Sequence, residues 1–241
     1  MSTDGLKDRL EGVRARIGAA AGRAGRDPAD VTLVGVMKVV EPDAVERAAA
    51  WGLRDVGTNR AQQVRDNASL VPVGTRWHFL GAVQTNKVRY LDDVWLVHGL
   101  ARDEEAAALQ HRAEHAGRER DVLIEVNVAG EASKNGVAPE ALPRLVERLG
   151  AYPLVRPRGL MIVAPQVENH EDVRWVFARG RQLRDDVASV LPAMRELSMG
   201  MSDDYEIAIE EGATIVRIGR GIFGARPRVS PGGASPARME S

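Results

Sequence analysis

Val31-Thr-Leu-Val-Gly-Val-Met37-Lys38 is the stretch of this 241-residue chain that decides its fold. A short apolar run of this length is typical of a buried β-strand, and a lysine stands where the strand ends. If the strand belongs to a barrel, the Lys38 amine lies at a partly desolvated mouth. Desolvation disfavours the ammonium form, so more free amine is available to attack an aldehyde. On spacing alone, a lysine that ends a strand and points to water fits equally well.

Strand-like and helical segments alternate along the whole chain. The eight predicted strands lie near Thr32–Val39, Asp55–Gly57, Trp77–Leu80, Trp95–His98, Val122–Val128, Pro157–Val163, Glu196–Met199 and Thr214–Gly219. The clearest predicted helices are Pro42–Trp51, Asp103–Ala116, Pro139–Leu149, Asp172–Leu191 and Asp203–Glu211. This alternation indicates parallel pairing, because parallel neighbours need a crossover connection. We therefore predict the α/β class and a single (β/α)8 TIM barrel, with a doubly wound open sheet as the alternative.

The two ends of the chain differ in character. A helix over about residues 4–25 opens the chain, with Leu6, Leu10, Val13 and Ile17 spaced to form one apolar stripe. The last segment is rich in Pro, Gly and Ser and has no periodicity. We expect one domain, a barrel with an N-terminal helix over residues 1–226, and a disordered tail over residues 227–241.

Composition excludes several classes of function. The formal net charge is −1, so no general attraction to nucleic acid or to an anionic membrane is expected. The chain has no cysteine, which excludes disulfides, a thiolate nucleophile and cysteine-based metal sites. No apolar run is long enough to span a bilayer, and the N-terminus lacks the apolar stretch of a signal peptide. We expect a cytoplasmic protein that binds no metal, because no His/Asp/Glu cluster has metal-ligand spacing.

The last predicted strand is followed at once by Gly219-Arg-Gly221-Ile-Phe-Gly224. This run matches the G-x-G-x-x-G fingerprint of dinucleotide sites, but that interpretation fails because no further strand follows it. The local physics still applies, since glycines let backbone amides approach an anion at the start of a short helix. In TIM barrels the loops after strands seven and eight often bind phosphate.

The loop after predicted strand seven reads Leu197-Ser198-Met-Gly200-Met-Ser202-Asp203-Asp204. We expect Ser202 to cap the helix that follows, while the Ser198 hydroxyl faces an anion. In a closed barrel strand one lies beside strand eight, so Lys38 and this anion site are neighbours. An aldehyde that carries a phosphate group fits between them.

At this point several sequence blocks, in order, closely resemble a known family. The blocks are Val-Met-Lys38-Val, Gly57-Thr-Asn59-Arg, Trp77-His78-Phe-Leu-Gly81-Ala-Val-Gln84-Thr-Asn86-Lys87, Asn127-Val-Ala-Gly-Glu131-Ala-Ser133-Lys134, Gly159-Leu-Met161, Leu197-Ser198-Met-Gly-Met-Ser-Asp-Asp204 and Arg217-Ile-Gly219. Together they resemble the YggS/PROSC-type family of pyridoxal phosphate homeostasis proteins, over roughly residues 5–226.

The resemblance implies a fold-type III barrel similar to the N-terminal domain of alanine racemase, with pyridoxal 5'-phosphate as its cofactor. It implies that Lys38 forms the Schiff base and that Ser198, Gly219 and the amide of Arg220 hold the phosphate. Arg217 would lie beside the pyridine nitrogen, where a permanent cation discourages protonation of the ring and weakens it as an electron sink. Without the resemblance, Arg217 would be interpreted as an ion-pair partner inside the barrel. The remaining predicted cofactor-binding residues are Asn59, His78 and Met199.

The chain also departs from the family pattern. Met37 and Val39 flank the lysine where Ser or Thr is common, and Thr58 replaces a glutamate. His98 is followed by glycine, and Arg220 stands where a small hydroxyl residue is usual. These changes predict a divergent member with a drier, less polar pocket floor.

His78 and His98 both end strands, and we interpret them as hydrogen-bonded packing residues, with acid–base roles as the alternative.

Three functions fit these observations. The first is a non-catalytic carrier that buffers pyridoxal phosphate or passes it to apo-enzymes, acting as a monomer without nucleic acid or membrane. The second is an amino-acid racemase, for which the second base is missing: the C-terminal β-domain that supplies a tyrosine is absent, and only Tyr90, Tyr152 and Tyr205 exist. The third is an enzyme on another sugar or aldehyde phosphate, for which no general-base constellation is present. We assign no catalytic residue.

Overall fold

Eight parallel strands close into a barrel in a computed structural model of the chain, with β1 paired to both β2 and β8. The structure describes residues 3–37, 42–67 and 71–224. The strands are β1 Thr32–Val36, β2 Asp55–Thr58, β3 Arg76–Ala82, β4 Val94–Leu100, β5 Arg120–Val126, β6 Val155–Ile162, β7 Glu196–Ser198 and β8 Ile215–Ile218. The predicted TIM barrel is confirmed, and the alternative of an open sheet is wrong.

Helices connect successive strands on the outside of the barrel. The helices are α1 Thr3–Arg23, α2 Pro42–Ala50, α3 Ala61–Asn67, α4 Asp103–Ala116, α5 Leu142–Leu149, α6 Arg174–Val190, α7 Tyr205–Glu210 and α8 Arg220–Phe223. Of these, α1 precedes β1 and α8 follows β8, and the others lie between strands. Between β3 and β4 the described connection is a 3-10 segment, Thr85–Tyr90. Throughout the described part of the chain, each helix is either too short or too polar to cross a bilayer.

The barrel has two apolar layers. The larger packs the outward faces of the strands against the helices. The smaller consists of residues from five different strands, which therefore meet inside the barrel: Val34, Leu96, Leu123, Met161 and Ile215. Because side chains alternate along a strand, residues two positions from any of these also point inward.

The opening helix α1 packs against α7 and α8. The Arg9 Nε donates to the carbonyl of Ile222 at 2.8 Å, and Arg23 forms ion pairs with Glu206 and Glu210. These contacts join the N-terminal helix to the last two units of the barrel.

Three sequence predictions need comment here. Ser202 does not cap α7, because that helix begins at Tyr205 and Asp204 stands at its N-cap. Val39 and the segment from Arg226 onward lie outside the described residues. The disordered tail and the domain boundaries therefore stay predictions.

Candidate functional site

Polar side chains occupy much of the barrel interior, and the alternation of the strands places them there. His98 lies two residues after Leu96, Glu125 two after Leu123, and Arg217 two after Ile215. His78 stands between Trp77 and Phe79, which both belong to the outer layer. Each of these polar residues is buried. A barrel interior of this kind contrasts with the branched aliphatic filling that is usual for the fold.

Three of these residues form one continuous hydrogen-bonded series with two further buried residues, Asp55 and Ser198. We call this series the interior relay: Asp55, His78, His98, Ser198 and Arg217. The Asp55 Oδ1 lies 2.9 Å from His78 Nε2, and His78 Nδ1 lies 2.9 Å from His98 Nε2. His98 Nδ1 lies 2.9 Å from Ser198 Oγ, to which the Arg217 guanidinium donates at 2.8 Å. The series crosses the barrel from β2 through β3, β4 and β7 to β8.

The charges of the relay follow from burial and from its two ends. Burial lowers the pKa of His78 and lowers the pKa of His98 far below its usual value, so both imidazoles are neutral. Burial also opposes the ionisation of Asp55, but the hydrogen bonds from His78 and Arg76 outweigh it and lower the pKa of Asp55. The relay therefore joins a carboxylate at one end to a guanidinium at the other.

Arg217 is a buried cation at the site end of the relay. Its guanidinium donates to Ser198 Oγ and, at 2.9 Å, to the carbonyl of Ile162. Burial lowers the pKa of Arg217 to about 10, while the carboxylates of Asp204 and Glu125 act in the opposite direction. Among the described residues no carboxylate forms an ion pair with Arg217. The described residues therefore do not support the alternative interpretation of Arg217 as an ion-pair partner inside the barrel. A buried charge without a counter-ion is costly and is an attractive place for an anion.

Gly219 lies directly after β8 and shapes the next part of the site. A Cβ atom at this position would lie 3.2 Å from the carbonyl oxygen of Val36 and 3.5 Å from the Val36 Cβ. The amides of Gly219 and Arg220 form no backbone hydrogen bond within the described ranges. Two free amides beside a glycine are the arrangement by which a backbone binds phosphate.

The loop after β7 is attached to β8 beside these amides. The Arg217 amide donates to the Gly200 carbonyl at 3.0 Å, and the Met199 amide donates to Ile215 at 3.1 Å. Gly200 has a φ of +89°, a left-handed conformation that favours glycine. Met199 is fully buried in the outer layer. The loop therefore keeps Ser198 and Met199 adjacent to β8.

Comparison with known proteins now bears on this geometry. The family described as alanine racemase, N-terminal domain, matches residues 10–227. The pyridoxal phosphate homeostasis protein of Aquifex aeolicus is 46% identical over 222 residues, which cover 91% of this chain and 97% of the relative. The pyridoxal phosphate homeostasis protein of Pseudomonas aeruginosa is 43% identical over 234 residues, which cover 96% of this chain and 99% of the relative.

The chain belongs to the pyridoxal phosphate homeostasis protein family. A solved structure of PipY from Synechococcus elongatus, described as having pyridoxal phosphate bound, matches with a TM-score of 0.78 and 29% identity. The match covers 91% of this chain and all of PipY. The family resemblance inferred from the sequence blocks is confirmed.

In this member of the pyridoxal phosphate homeostasis protein family, the predicted site residues lie in different parts of the barrel. Ser198, Arg217, Gly219 and Arg220 lie together at the ends of β7 and β8. His78 is two hydrogen bonds from Ser198, with His98 between them, and is completely buried. Lys38, the predicted Schiff-base lysine, lies outside the described residues. Its neighbour Met37 is buried, and the Met37 amide donates to the Gly57 carbonyl at 2.7 Å.

Asn59 stands apart from the interior relay. It is exposed, and it lines a pocket of about 100 Å³ at the rim of the barrel together with Gln84 and Lys87. Thr58, immediately before it, is buried; its hydroxyl donates to Gln63 at 2.7 Å and accepts from the Arg60 amide at 3.1 Å. The Thr58 side chain thus stabilises the turn into α3 within this family member.

The Arg220 side chain turns to the surface and pairs with Asp203, and both are exposed. Ser202 Oγ accepts from the Gly221 amide at 3.4 Å, so the loops after β7 and β8 are joined by two contacts. The contact that the family likeness predicts for Arg220 therefore involves its amide, while its guanidinium is engaged with a carboxylate.

The interior relay shows that the barrel interior contains hydrogen-bonded polar groups, which are Asp55, His78, His98, Ser198 and Arg217. A pocket floor that is drier than in other family members stays a prediction. Sequence reasoning also missed Asp55, which accepts from Arg76 at 2.7 Å as well as from His78. The available signal was alternation: Asp55 precedes the outward Val56, as His78 precedes the outward Phe79.

Proposed function

We propose that this chain binds pyridoxal 5'-phosphate reversibly through Lys38 and carries or buffers the cofactor without robust catalysis. One observation supports this most: a buried guanidinium without a described ion-pair partner lies beside two free backbone amides, on the strand next to β1. Lys38 follows β1 by two residues. The names of the relatives and the cofactor-bound PipY structure support the same proposal.

The residues present fit the cofactor in charge and in shape. Its phosphate is an anion, which the amides of Gly219 and Arg220 would bind at a turn where a Cβ at residue 219 would press against the Val36 carbonyl. Its pyridine nitrogen accepts hydrogen bonds, which Arg217 would donate. Its aldehyde, when bound, supplies the electrophile for a lysine amine.

Each site residue then has a role that its environment supports. Arg217 remains a cation and keeps the pyridine nitrogen unprotonated, which weakens the ring as an electron sink. Ser198 and His78 support Arg217 from below through the interior relay. Met199 places the β7 loop against β8, and Asn59 belongs to the rim of the same barrel end.

The positions of the tyrosines support a carrier rather than a two-base racemase. The Tyr205 ring packs near Arg16 of α1, outside the barrel, and the Tyr90 ring lies near Arg65 and Arg89. Tyr152 precedes β6, at the opposite end of the barrel from the site. Lys38 would therefore act without a tyrosine partner on the opposite side of a substrate.

The proposal extends to partners and location. We infer that the chain acts as a monomer in the cytoplasm and that apo-enzymes that use pyridoxal phosphate receive the cofactor from it. The surface pairing of Arg220 with Asp203 supports the transfer of the cofactor to apo-enzymes, because the Arg220 guanidinium is then not available to hold the phosphate. A phosphate held in this way is released without breaking an ion pair.

The experiment uses the four lysines of the chain, which are Lys7, Lys38, Lys87 and Lys134. The purified protein is incubated with pyridoxal phosphate, its visible spectrum is recorded, and borohydride then reduces any lysine–cofactor bond before peptide mapping. We expect the adduct on Lys38 and no yellow colour in Lys38→Ala. The matched control is Lys7→Ala, an exposed lysine on α1, which should bind like the wild type. An adduct on another lysine, or none, contradicts the proposal.

A further inference from the structure

The interior relay connects the two ends of the barrel. Asp55 is the first residue of β2 and accepts from Arg76, the first residue of β3, whose side chain is 41% exposed. Ser198 is the last residue of β7, and Arg217 lies beside it. A hydrogen-bonded path thus begins near solvent at the N-terminal end of the strands and finishes at the proposed cofactor site.

The direction of each hydrogen bond follows from the anchor at Asp55. An ionised carboxylate accepts only, so the His78 Nε2 carries the hydrogen and donates to Asp55. His78 is neutral and has one N–H group, so its Nδ1 accepts. The partner of that Nδ1, at 2.9 Å, is His98 Nε2, which must therefore be the donor.

The same rule carries the direction to the site. His98 has used its single N–H on His78, so its Nδ1 accepts, and the Ser198 hydroxyl is the donor at 2.9 Å. Ser198 Oγ in turn accepts from Arg217 at 2.8 Å. Every bond points the same way, from the guanidinium towards the carboxylate, and bonds aligned in this manner strengthen one another.

We propose that Asp55, acting through His78 and His98, fixes Ser198 as a hydrogen-bond acceptor towards the site. Ser198 is then a positioning residue that holds the Arg217 guanidinium, and it does not donate to the anion of a ligand. The second statement rests on the proposed function, whereas the first concerns the protein alone. Asp55, His78 and His98 are positioning residues of the same kind.

The surroundings of the histidines support a fixed direction. The charged groups that act on His78 are Asp55, Arg76 and Glu196, and those that act on His98 are His78, when protonated, and Arg217. Arg217 disfavours a proton on His98, and a neutral His98 must accept from Ser198 as long as Asp55 is ionised. One carboxylate thus determines the hydroxyl direction of a serine on the other side of the barrel.

The variant Asp55→Asn should reverse the whole relay. Arg76 donates to one oxygen of residue 55, so the amide oxygen of the asparagine must face Arg76 and its NH2 group must face His78. The His78 Nε2 then accepts, its Nδ1 donates to His98, and the His98 Nδ1 donates to Ser198. The Ser198 hydroxyl is released and becomes a donor at the site.

The first measurement is 15N NMR of the histidine side chains in the full chain, without cofactor. We expect both buried histidines of the wild type to carry the hydrogen on Nε2 and both in Asp55→Asn to carry it on Nδ1. Asp121→Asn is the matched control, because Asp121, the second residue of β5, also accepts from an arginine but lies outside the relay. Hydrogen on Nδ1 in the wild type overturns the proposal, as does an unchanged pattern in Asp55→Asn.

Ser198→Ala keeps the test decisive if Asp55→Asn fails to fold. Because the direction is set at Asp55, removal of the serine hydroxyl should leave both histidines with hydrogen on Nε2. A change of tautomer in Ser198→Ala would mean that the site end sets the direction, and the proposal would be wrong.

The second measurement is the affinity for inorganic phosphate, by calorimetry. A released hydroxyl adds one charge-assisted hydrogen bond, so Asp55→Asn should bind phosphate about tenfold more tightly. Ser198→Ala in the Asp55→Asn background should abolish that gain, whereas a purely electrostatic effect of the lost carboxylate would persist. A gain that persists without the hydroxyl overturns the role of Ser198. If no variant binds phosphate, the proposed function fails, while the tautomer pattern still decides the relay.

Discussion

Gly219 and Val36 approach so closely across the β1–β8 pair that a methyl group on residue 219 would lie 3.2 Å from the Val36 carbonyl oxygen. We predict that Gly219→Ala weakens the binding of pyridoxal phosphate by about tenfold or more, because the methyl group would displace the amides that we propose as the phosphate site. Stability should change little, since the φ of −105° at this position is open to alanine. Absorbance titration and thermal unfolding measure the two effects.

The control for this prediction is Gly12→Ala, in the middle of α1. Its added Cβ would meet no atom within 4 Å, and the residue is exposed. Replacement should stabilise the helix by about 0.5–1 kcal/mol and leave cofactor binding unchanged. Equal affinity of Gly219→Ala and the wild type for the cofactor would show that the phosphate does not bind at this turn.

Arg217 gives the second prediction. Arg217→Gln removes a buried cation that donates to Ser198 and Ile162, and it should weaken cofactor binding by about tenfold or more. Arg217→Lys keeps the charge but loses the planar group that reaches both acceptors, so its affinity should lie between the two. Absorbance titration of both variants with the cofactor at one pH separates the effect of charge from that of geometry. Unchanged affinity in Arg217→Gln would show that the cofactor binds elsewhere.

Much of the fold could be predicted because local and long-range signals agree in it. The apolar run at residues 31–37 predicts a buried strand, and the alternation of helices with strands predicts parallel pairing. The strands β1 through β8 lie where the sequence places them, within a few residues. The role of Ser202, for which a cap on the next helix was the wrong prediction, could not be predicted in this way. Its hydroxyl accepts from Gly221, and this contact exists only after β7 and β8 come together.

The candidate site was predicted unevenly for a related reason. Gly219 belongs to a local glycine pattern that the sequence indicates directly, whereas only the family resemblance indicated the role of Arg217. The relay depends on which residues of β2, β3, β4 and β7 share a height in the barrel, and no single segment contains that information. His98 and Ser198 are 100 residues apart in the chain, yet their side chains are hydrogen-bonded.

The third prediction concerns catalysis. The chain loaded with pyridoxal phosphate and incubated with a single enantiomer of alanine should leave the optical rotation unchanged over hours, because the described rings of Tyr90 and Tyr205 lie beside surface arginines and not inside the barrel. An alanine racemase serves as the positive control in the same buffer. Rapid loss of rotation would show that the carrier function is wrong and that the chain is an enzyme.

The buried histidines give the last prediction, which concerns pH. His78 and His98 have lowered pKa values in the folded chain, chiefly through burial, whereas an unfolded histidine titrates near its ordinary value of about 6.5. Above that value both states bind equal numbers of protons at these groups, so their contribution to stability is complete. Below it the unfolded state binds more protons. The free energy of unfolding should therefore fall with decreasing pH, by about 1.4 kcal/mol per pH unit for each histidine that stays neutral.

Urea denaturation at pH 7.5, 6.5 and 5.5 measures this slope. His98→Gln should lose about half of the histidine contribution, whereas His111→Gln, on the exposed face of α4, should keep all of it. Burial raises the pKa values of the Glu125 and Asp204 carboxyls, so these groups change the free energy of unfolding with pH in the opposite direction. Their contribution is the same in variant and wild type, and the comparison therefore cancels it. If wild type and His98→Gln show the same slope, His98 is not held neutral inside the barrel, and the direction assigned to the Ser198 hydroxyl has no basis.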